Sequence, residues 1–145
     1  MKGTYTIVLK CRRTMRVRFG KLGFAKIEVG YYLYTGSALG RGSVSLEGRL
    51  TRHERSSKKV RWHVDYLTSR PGCDFRGAVC LISTSRLECK INRSIQADLN
   101  VESTLPHIGA SDCRCSGHLL RVKSRSSVAD LLNRLGCIYS MFAVL

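Results

Sequence analysis

A chain of 145 residues that is 43% apolar can bury an ordinary core and is too hydrophobic to stay disordered, so a single folded domain is expected. Its 25 Lys and Arg against 10 Asp and Glu give a formal net charge of +15, which favours a polyanionic partner, nucleic acid ahead of an anionic membrane surface. The seven cysteines are odd in number and fall in apolar runs as often as in loops; with no leader-like N-terminus and no apolar run of membrane-spanning length, they point to reduced thiols in a cytoplasmic protein that is neither secreted nor membrane-bound.

Residues 4–9 (TYTIVL) are β-branched and aromatic and predict a strand. Residues 11–29 are highly charged, with alternation around Val17 and again around Ile27, and predict a basic hairpin. Residues 31–34 continue its second strand into the core, and Gly36, Gly40 and Gly42 then mark a loop. Ser43 is the expected cap of a helix reaching about residue 54, with Glu47 early in it. On that helix Leu46, Arg49, Leu50 and His53 share one sector, while Arg52 and Arg55 face solvent. Residues 56–61 form a basic loop, and 62–67 (WHVDYL) a helical turn or two broken by Pro71-Gly72. Residues 77–82 (GAVCLI) read as a central strand, and 85–99 as a helix with Leu87, Ile91, Ile95 and Leu99 on one face.

Residues 104–117 read as a loop, 118–123 as a last strand and 128–135 as an amphipathic helix capped by Gly136. The expected class is α+β, a small and mostly antiparallel sheet flanked by helices. Residues 1–123 would carry the main body with the hairpin inserted at 11–29. The helix and apolar tail of 124–145 would pack on the same body or on a second copy.

Several residues stand out as chemistry. Gly3-Thr4-Tyr5 and Tyr34-Thr35-Gly36 lie on strands, Arg49 and His53 follow on a helix, and Glu88 lies on a later one. In this order they resemble the motifs of the GIY-YIG endonuclease superfamily. The longer series YYLYTGSALG, RLTRH, WHVDYL, LECKIN and SDCRCSGHL is similar to a prokaryotic branch sometimes fused to helix-hairpin-helix DNA glycosylases.

The resemblance implies a three-stranded antiparallel sheet and metal-dependent hydrolysis of a phosphodiester, with DNA favoured over RNA, in repair or recombination. Glu88 would hold one Mg²⁺ or Mn²⁺. Arg49 would offer a planar, permanently charged fork to the phosphate. Tyr5 or Tyr34, with its pKa depressed, would orient or deprotonate the attacking water, and His53 would relay the proton or bind phosphate. Gly36 would admit the substrate close to the backbone. The nucleic-acid surface would comprise Gly36, Ser37, Arg52, Lys58, Lys59 and His63, with Arg12, Arg13, Arg16, Arg18 and Lys21 on the hairpin. A second copy or a DNA glycosylase would be the protein partner.

Each residue also has a plainer role. Tyr5 and Tyr34 suit a strand core, and Arg49 can lie along an apolar face. Ser85-Arg86-Leu87-Glu88 has the spacing of a capping box, in which Glu88 bonds back to its own helix start. WHVDYL suits packing, apart from a substrate-contacting pair at His63 and Asp65. Tyr5 and Tyr34 are separated by the basic insertion, which must fold out for their strands to pair. Cys113, Cys115 and His118, with His107 or Asp112, offer four zinc donors, but Cys113-x-Cys115 is tight for one tetrahedron, and a packed turn without zinc is the expectation.

Overall fold

The apolar N-terminal run forms β1 (Gly3–Cys11), near the middle of a six-stranded sheet. A computed structural model describes residues 1–110 and 113–144. Flanking β1 are β4 (Gly30–Ala38) and β5 (Cys73–Ile82), both antiparallel to it. Outside β4 lie β7 (Leu119–Val122) and then β6 (Val101–Leu105); outside β5 lies β8 (Phe142–Val144), and every pairing is antiparallel. The α+β class holds, and the sheet is larger than the three strands expected. Residues 101–105 lack the apolar alternation of a strand, yet they pair with β7, so the loop expected from residue 104 starts later. The apolar tail supplies β8 to the sheet; Leu145 lies outside the described residues.

Alternation along β1 divides the core in two. Tyr5, Ile7, Leu9 and Cys11 face one layer, and Val8 faces the other. The first layer holds α1 (Leu46–Glu54), the short α2 (Asp65–Thr68) and a separate two-stranded sheet of β2 (Met15–Arg18) and β3 (Phe24–Ile27). The second holds α3 (Glu88–Gln96) and α4 (Arg125–Tyr139), through Ile91, Ile95, Val128, Leu131 and Leu135. Layers on both sides explain why β1 is buried almost throughout.

The insertion is not an appendage. Met15, Val17, Phe19 and Ile27 are buried in the first core layer, while Arg16, Arg18 and Lys26 point to solvent. It leaves and rejoins the sheet at the paired residues Cys11 and Gly30, so the register of β1 on β4 runs unbroken to Gly3↔Ala38. Gly30, at φ +147°, separates β3 from β4, which therefore do not form one continuous strand.

Other boundaries differ from the expected ones for local reasons. β4 continues through Gly36 to Ala38 because β1 pairs with it throughout. Ser45, not Ser43, caps α1, its Oγ accepting from the Gly48 amide at 3.1 Å. Among the described residues no side chain caps α3, which begins at Glu88 and ends at Gln96, leaving Leu99 88% exposed. The capping box does not form: the Ser85 amide donates to Ser83 Oγ. Gly136 lies inside α4, which ends on a left-handed Ser140.

Candidate active site

The site arises where two strands part company. β7 pairs with β4 only along Tyr31–Tyr34, so the β4 edge beyond Tyr34 is free of β7. A cleft of about 540 Å³ opens there. Tyr34, Gly36 and Ser37 of β4 line it, with Arg49 from α1, Arg61, Trp62 and His63 from the turn before α2, Gly109, and Arg86 and Glu88 at the start of α3. Most of these residues carry the sequence motifs. Among the described residues, Glu88 is the one carboxylate in the lining, facing three guanidiniums. Among the described residues, Arg49 Nε and Ser37 Oγ are buried with no hydrogen-bond partner, so the cleft keeps polar capacity in reserve.

Tyr5 and His53 do not line this cleft; they sit behind its wall. Tyr5 Oη and His53 Nε2 are 2.9 Å apart, and both residues are 1% exposed. Tyr5 lies opposite Gly36 in the ladder, and a Cβ on Gly36 would stand 2.6 Å from the Tyr5 hydroxyl. Gly36 therefore makes room for Tyr5, a job distinct from admitting substrate. Gly109, at φ +76°, does the same for Tyr34, whose Cε2 would be 2.6 Å from an added Cβ.

The Arg49 charge alone does not depress either phenol's pKa. Burial pushes Tyr5 up to about 12, outweighing the opposing Arg49 charge. Burial, reinforced by Tyr5 and Glu88, also holds Tyr34 well above the ordinary range. Both phenols are hydrogen-bonding groups at neutral pH. His53 is pushed down to about 3, first by burial and then by the Lys58 charge, so it is a neutral imidazole. A buried neutral ring is not a phosphate site; the role left to His53 is to hold the Tyr5 hydroxyl.

The turn at 61–65 is built around Asp65, which is fully buried. Its Oδ2 accepts from Arg52 at 2.6 Å and from the amides of Arg61 and Trp62 at 2.9 and 3.0 Å. Burial raises the Asp65 pKa, and these donors more than reverse it, leaving the carboxyl below its usual range. Lys58 reaches into the same region: its Nζ lies 3.9 Å from Asp65 Oδ1, the side chain is 3% exposed, and burial lowers its pKa to about 8. Arg52, expected on the nucleic-acid surface, is thus committed to Asp65 instead, and Lys58, expected there too, donates to the Thr68 hydroxyl at 2.5 Å and the Arg52 carbonyl at 3.2 Å. The anchored turn presents Trp62, with Arg49 at 4.3 Å and Arg52 at 4.9 Å from its ring centroid. His63 Nδ1 accepts from the Gly109 amide at 3.1 Å, so its proton is on Nε2. Of the His63–Asp65 pair, only His63 reaches the cleft.

Lys59 and the hairpin's Arg12, Arg13, Arg16, Arg18 and Lys21 are exposed. Arg12 pairs with Asp74 at 3.1 Å, Arg13 donates to the Pro71 carbonyl at 3.1 Å, and Arg16 lies over Phe24 at 4.2 Å. The hairpin roots at Cys11 and Gly30, six positions from Gly36 and so about 20 Å along the strand. The structure does not bring these side chains into the cleft lining.

Glu88 is 9% exposed, and its Oε1 receives Arg86 Nε at 2.8 Å and Nη2 at 2.7 Å. Arg61, Arg86 and Trp62 belong to the cleft although no motif singles them out as site residues. Neighbourhood is the signal that could have found them: each lies within two residues of a named candidate.

Next along α3, Cys89 meets Cys113, Cys115 and His118, with all four ligand atoms within 4.8 Å of one another. Burial and the neighbouring Cys115 and Cys113 push the Cys89 thiol up to about 12. His107 is exposed at φ 65° and takes no part, and Asp112 lies outside the described residues. In the sequence Cys89 reads as a core thiol inside an apolar run; only the tertiary fold places it opposite the loop.

A family model described as Domain of unknown function DUF123 matches residues 4–139, and the chain belongs to that family. No curated protein and no solved structure matches the chain. Among the described residues, no helix is long and apolar enough to cross a membrane.

Proposed function

We propose that this member of the DUF123 family is a metal-dependent DNA endonuclease of GIY-YIG type, acting in the cytoplasm in repair or recombination. The observation that carries the reading is the cleft at the free β4 edge. There Glu88, Arg49, His63 and Tyr34 line one cleft with Gly36 and the half-buried Ser37 of β4. The central strand order β4-β1-β5, antiparallel and flanked by helices, also supports it. The net charge of +15 favours a polyanion, and DNA is the preferred one.

The donor set fits a hard divalent ion. Glu88 is the oxygen ligand in the cleft, and a hydrated Mg²⁺ or Mn²⁺ needs only one or two carboxylates. When bound, such an ion supplies Lewis-acid stabilisation of the departing oxygen. The chain's own residues do the rest. Arg49, Arg61 and Arg86 oppose the charge that builds on the phosphate, and His63 donates its Nε2 proton to a phosphate oxygen. Tyr34, protonated, orients the attacking water by hydrogen bonding. Tyr5 and His53 are positioning residues: they fix β4 from behind Gly36. Trp62 holds Arg49 in place and offers a stacking face to a splayed base.

A second reading is a non-catalytic nucleic-acid module, favoured by the Arg86–Glu88 pair that occupies Oε1. One assay separates the two. Supercoiled and branched DNA are incubated with Mg²⁺ or Mn²⁺ and the wild-type chain, Glu88→Gln or Arg49→Ala. The endonuclease reading expects nicking that each substitution lowers by about 100-fold or more. Wild type that binds DNA but leaves it intact with both ions, or Glu88→Gln cutting at the wild-type rate, supports the second reading.

A further inference from the structure

We propose a structural zinc site formed by Cys89, Cys113, Cys115 and His118, separate from the cleft and independent of the endonuclease reading. Three thiols and one imidazole from two distant segments converge with all ligand atoms within 4.8 Å of one another. Tetrahedral zinc, with bonds of about 2.3 Å to sulfur and about 2.0 Å to nitrogen, requires ligand separations of about 3.5–3.8 Å. His118 Nε2 lies 3.4 Å from Cys113 Sγ and 3.9 Å from Cys89 Sγ. The cluster is already near the dimensions of a filled site.

The histidine is set for a metal. His118 Nδ1 lies 3.0 Å from the Thr35 carbonyl oxygen, which can only accept, so the ring proton is on Nδ1. Nε2 therefore directs its lone pair at the thiols. A metal-bound imidazole with its other nitrogen donating to a backbone carbonyl is the usual supporting arrangement. Residue type selects the ion: three sulfurs and one nitrogen suit zinc and do not suit the magnesium expected at Glu88. Cys89 also removes the objection to the loop alone. Cys113 and Cys115 need not close a site between themselves, because the fourth corner comes from α3.

The loop is already tied to α3: Asn92 Nδ2 donates to the Gly117 carbonyl at 2.8 Å, and Gln96 Nε2 to Ser116 Oγ at 2.8 Å. The metal would complete this seam at its cleft end. Cys89 neighbours Glu88, and Thr35 lies between Tyr34 and Gly36. Zinc would thus lock the acidic and strand walls of the cleft together. On binding, the thiols give their protons to the buffer, and no oxidant or reductant is involved.

The test is metal content, read without any cleavage assay. The full chain is purified under reducing conditions, loaded with zinc, dialysed against a weak chelator and analysed by mass spectrometry for bound metal. We expect about one zinc per chain. Cys89→Ser and Cys113→Ser should each lower retained zinc by about tenfold or more, while Cys137→Ser, at an exposed thiol, keeps it. Wild type retaining under about one-tenth of a zinc per chain, or Cys89→Ser retaining as much as wild type, overturns the site. Should a ligand variant fail to fold, cobalt substitution of wild type decides. Strong visible bands with sulfur-to-metal charge transfer support a tetrahedral thiolate site, and weak octahedral bands overturn it.

Discussion

Glu88 and Cys89 are consecutive residues on α3, yet they serve two regions of opposite character. Glu88 opens on a cleft with three arginines and with orphaned polar atoms at Arg49 and Ser37. Cys89 turns to a closed cluster in which His118 Nδ1 is already satisfied by the Thr35 carbonyl. One region has polar groups held for something that comes and goes; the other has donors that already meet one another. The contrast separates a site shaped for turnover from one shaped for permanence, and each makes demands that can be broken separately.

The largest expected effect is on the closed region. Removing its metal with a strong chelator should lower the thermal midpoint by about 10 °C or more, since structural zinc contributes several kcal/mol to folding. Calorimetry before and after chelation, and after zinc is restored, reads this directly. The open region should respond in activity and not in stability. Glu88→Gln should lower DNA cleavage by about 100-fold or more while leaving zinc content and midpoint close to wild type. Loss of zinc in Glu88→Gln would show that the two regions are not separable.

Behind the cleft, His53 gives a pH signature. Its folded pKa, about 3, lies below the ordinary value of 6.5. As pH falls below about 6.5 the unfolded chain takes up a proton that the folded chain refuses, so stability falls by up to about 1.4 kcal/mol per pH unit toward pH 3. Denaturant titrations from pH 7 to pH 4 should show this slope in wild type and a flatter one in His53→Gln. Tyr5→Phe, which strips His53 of its partner, should cost about 1–2 kcal/mol in the same titration at pH 7.

The smallest effect lies farthest from the cleft. If the exposed hairpin tracks the DNA backbone, Arg16→Ala with Arg18→Ala should reduce the slope of log binding against log salt by about 0.9 for each phosphate that these arginines neutralise. An unchanged slope would confine the DNA surface to the cleft side.

The same contrast explains what could be read in the sequence. The cleft residues were legible because they follow one another along the chain on predictable elements: Tyr34 and Gly36 on a strand, then Arg49 on the next helix, with His53 a turn later behind the cleft wall. The β1, β5, α1, α3 and α4 cores were legible from their apolar periodicity. Burial was not. Periodicity places His53 at a margin, but only the packing of α1 against Tyr5 makes it a neutral, enclosed ring. Arg52 and Lys58 read as phosphate contacts, but the fold turns Arg52 to Asp65 and Lys58 to the Thr68 hydroxyl. The thiol cluster was half visible: Cys113, Cys115 and His118 are close in sequence, and Cys89 is 24 positions away from the first of them. β6 was hidden because a solvent-exposed edge strand need not carry an apolar alternation.

The most direct measurement of the central claim is a crystal of the full chain grown with Mn²⁺, with anomalous scattering recorded at the manganese and zinc edges. The expected result is a manganese peak at the Glu88 carboxylate in the cleft and a separate zinc peak enclosed by Cys89, Cys113, Cys115 and His118. A cleft with no manganese, and Glu88 still held by Arg86, would contradict the hydrolytic reading.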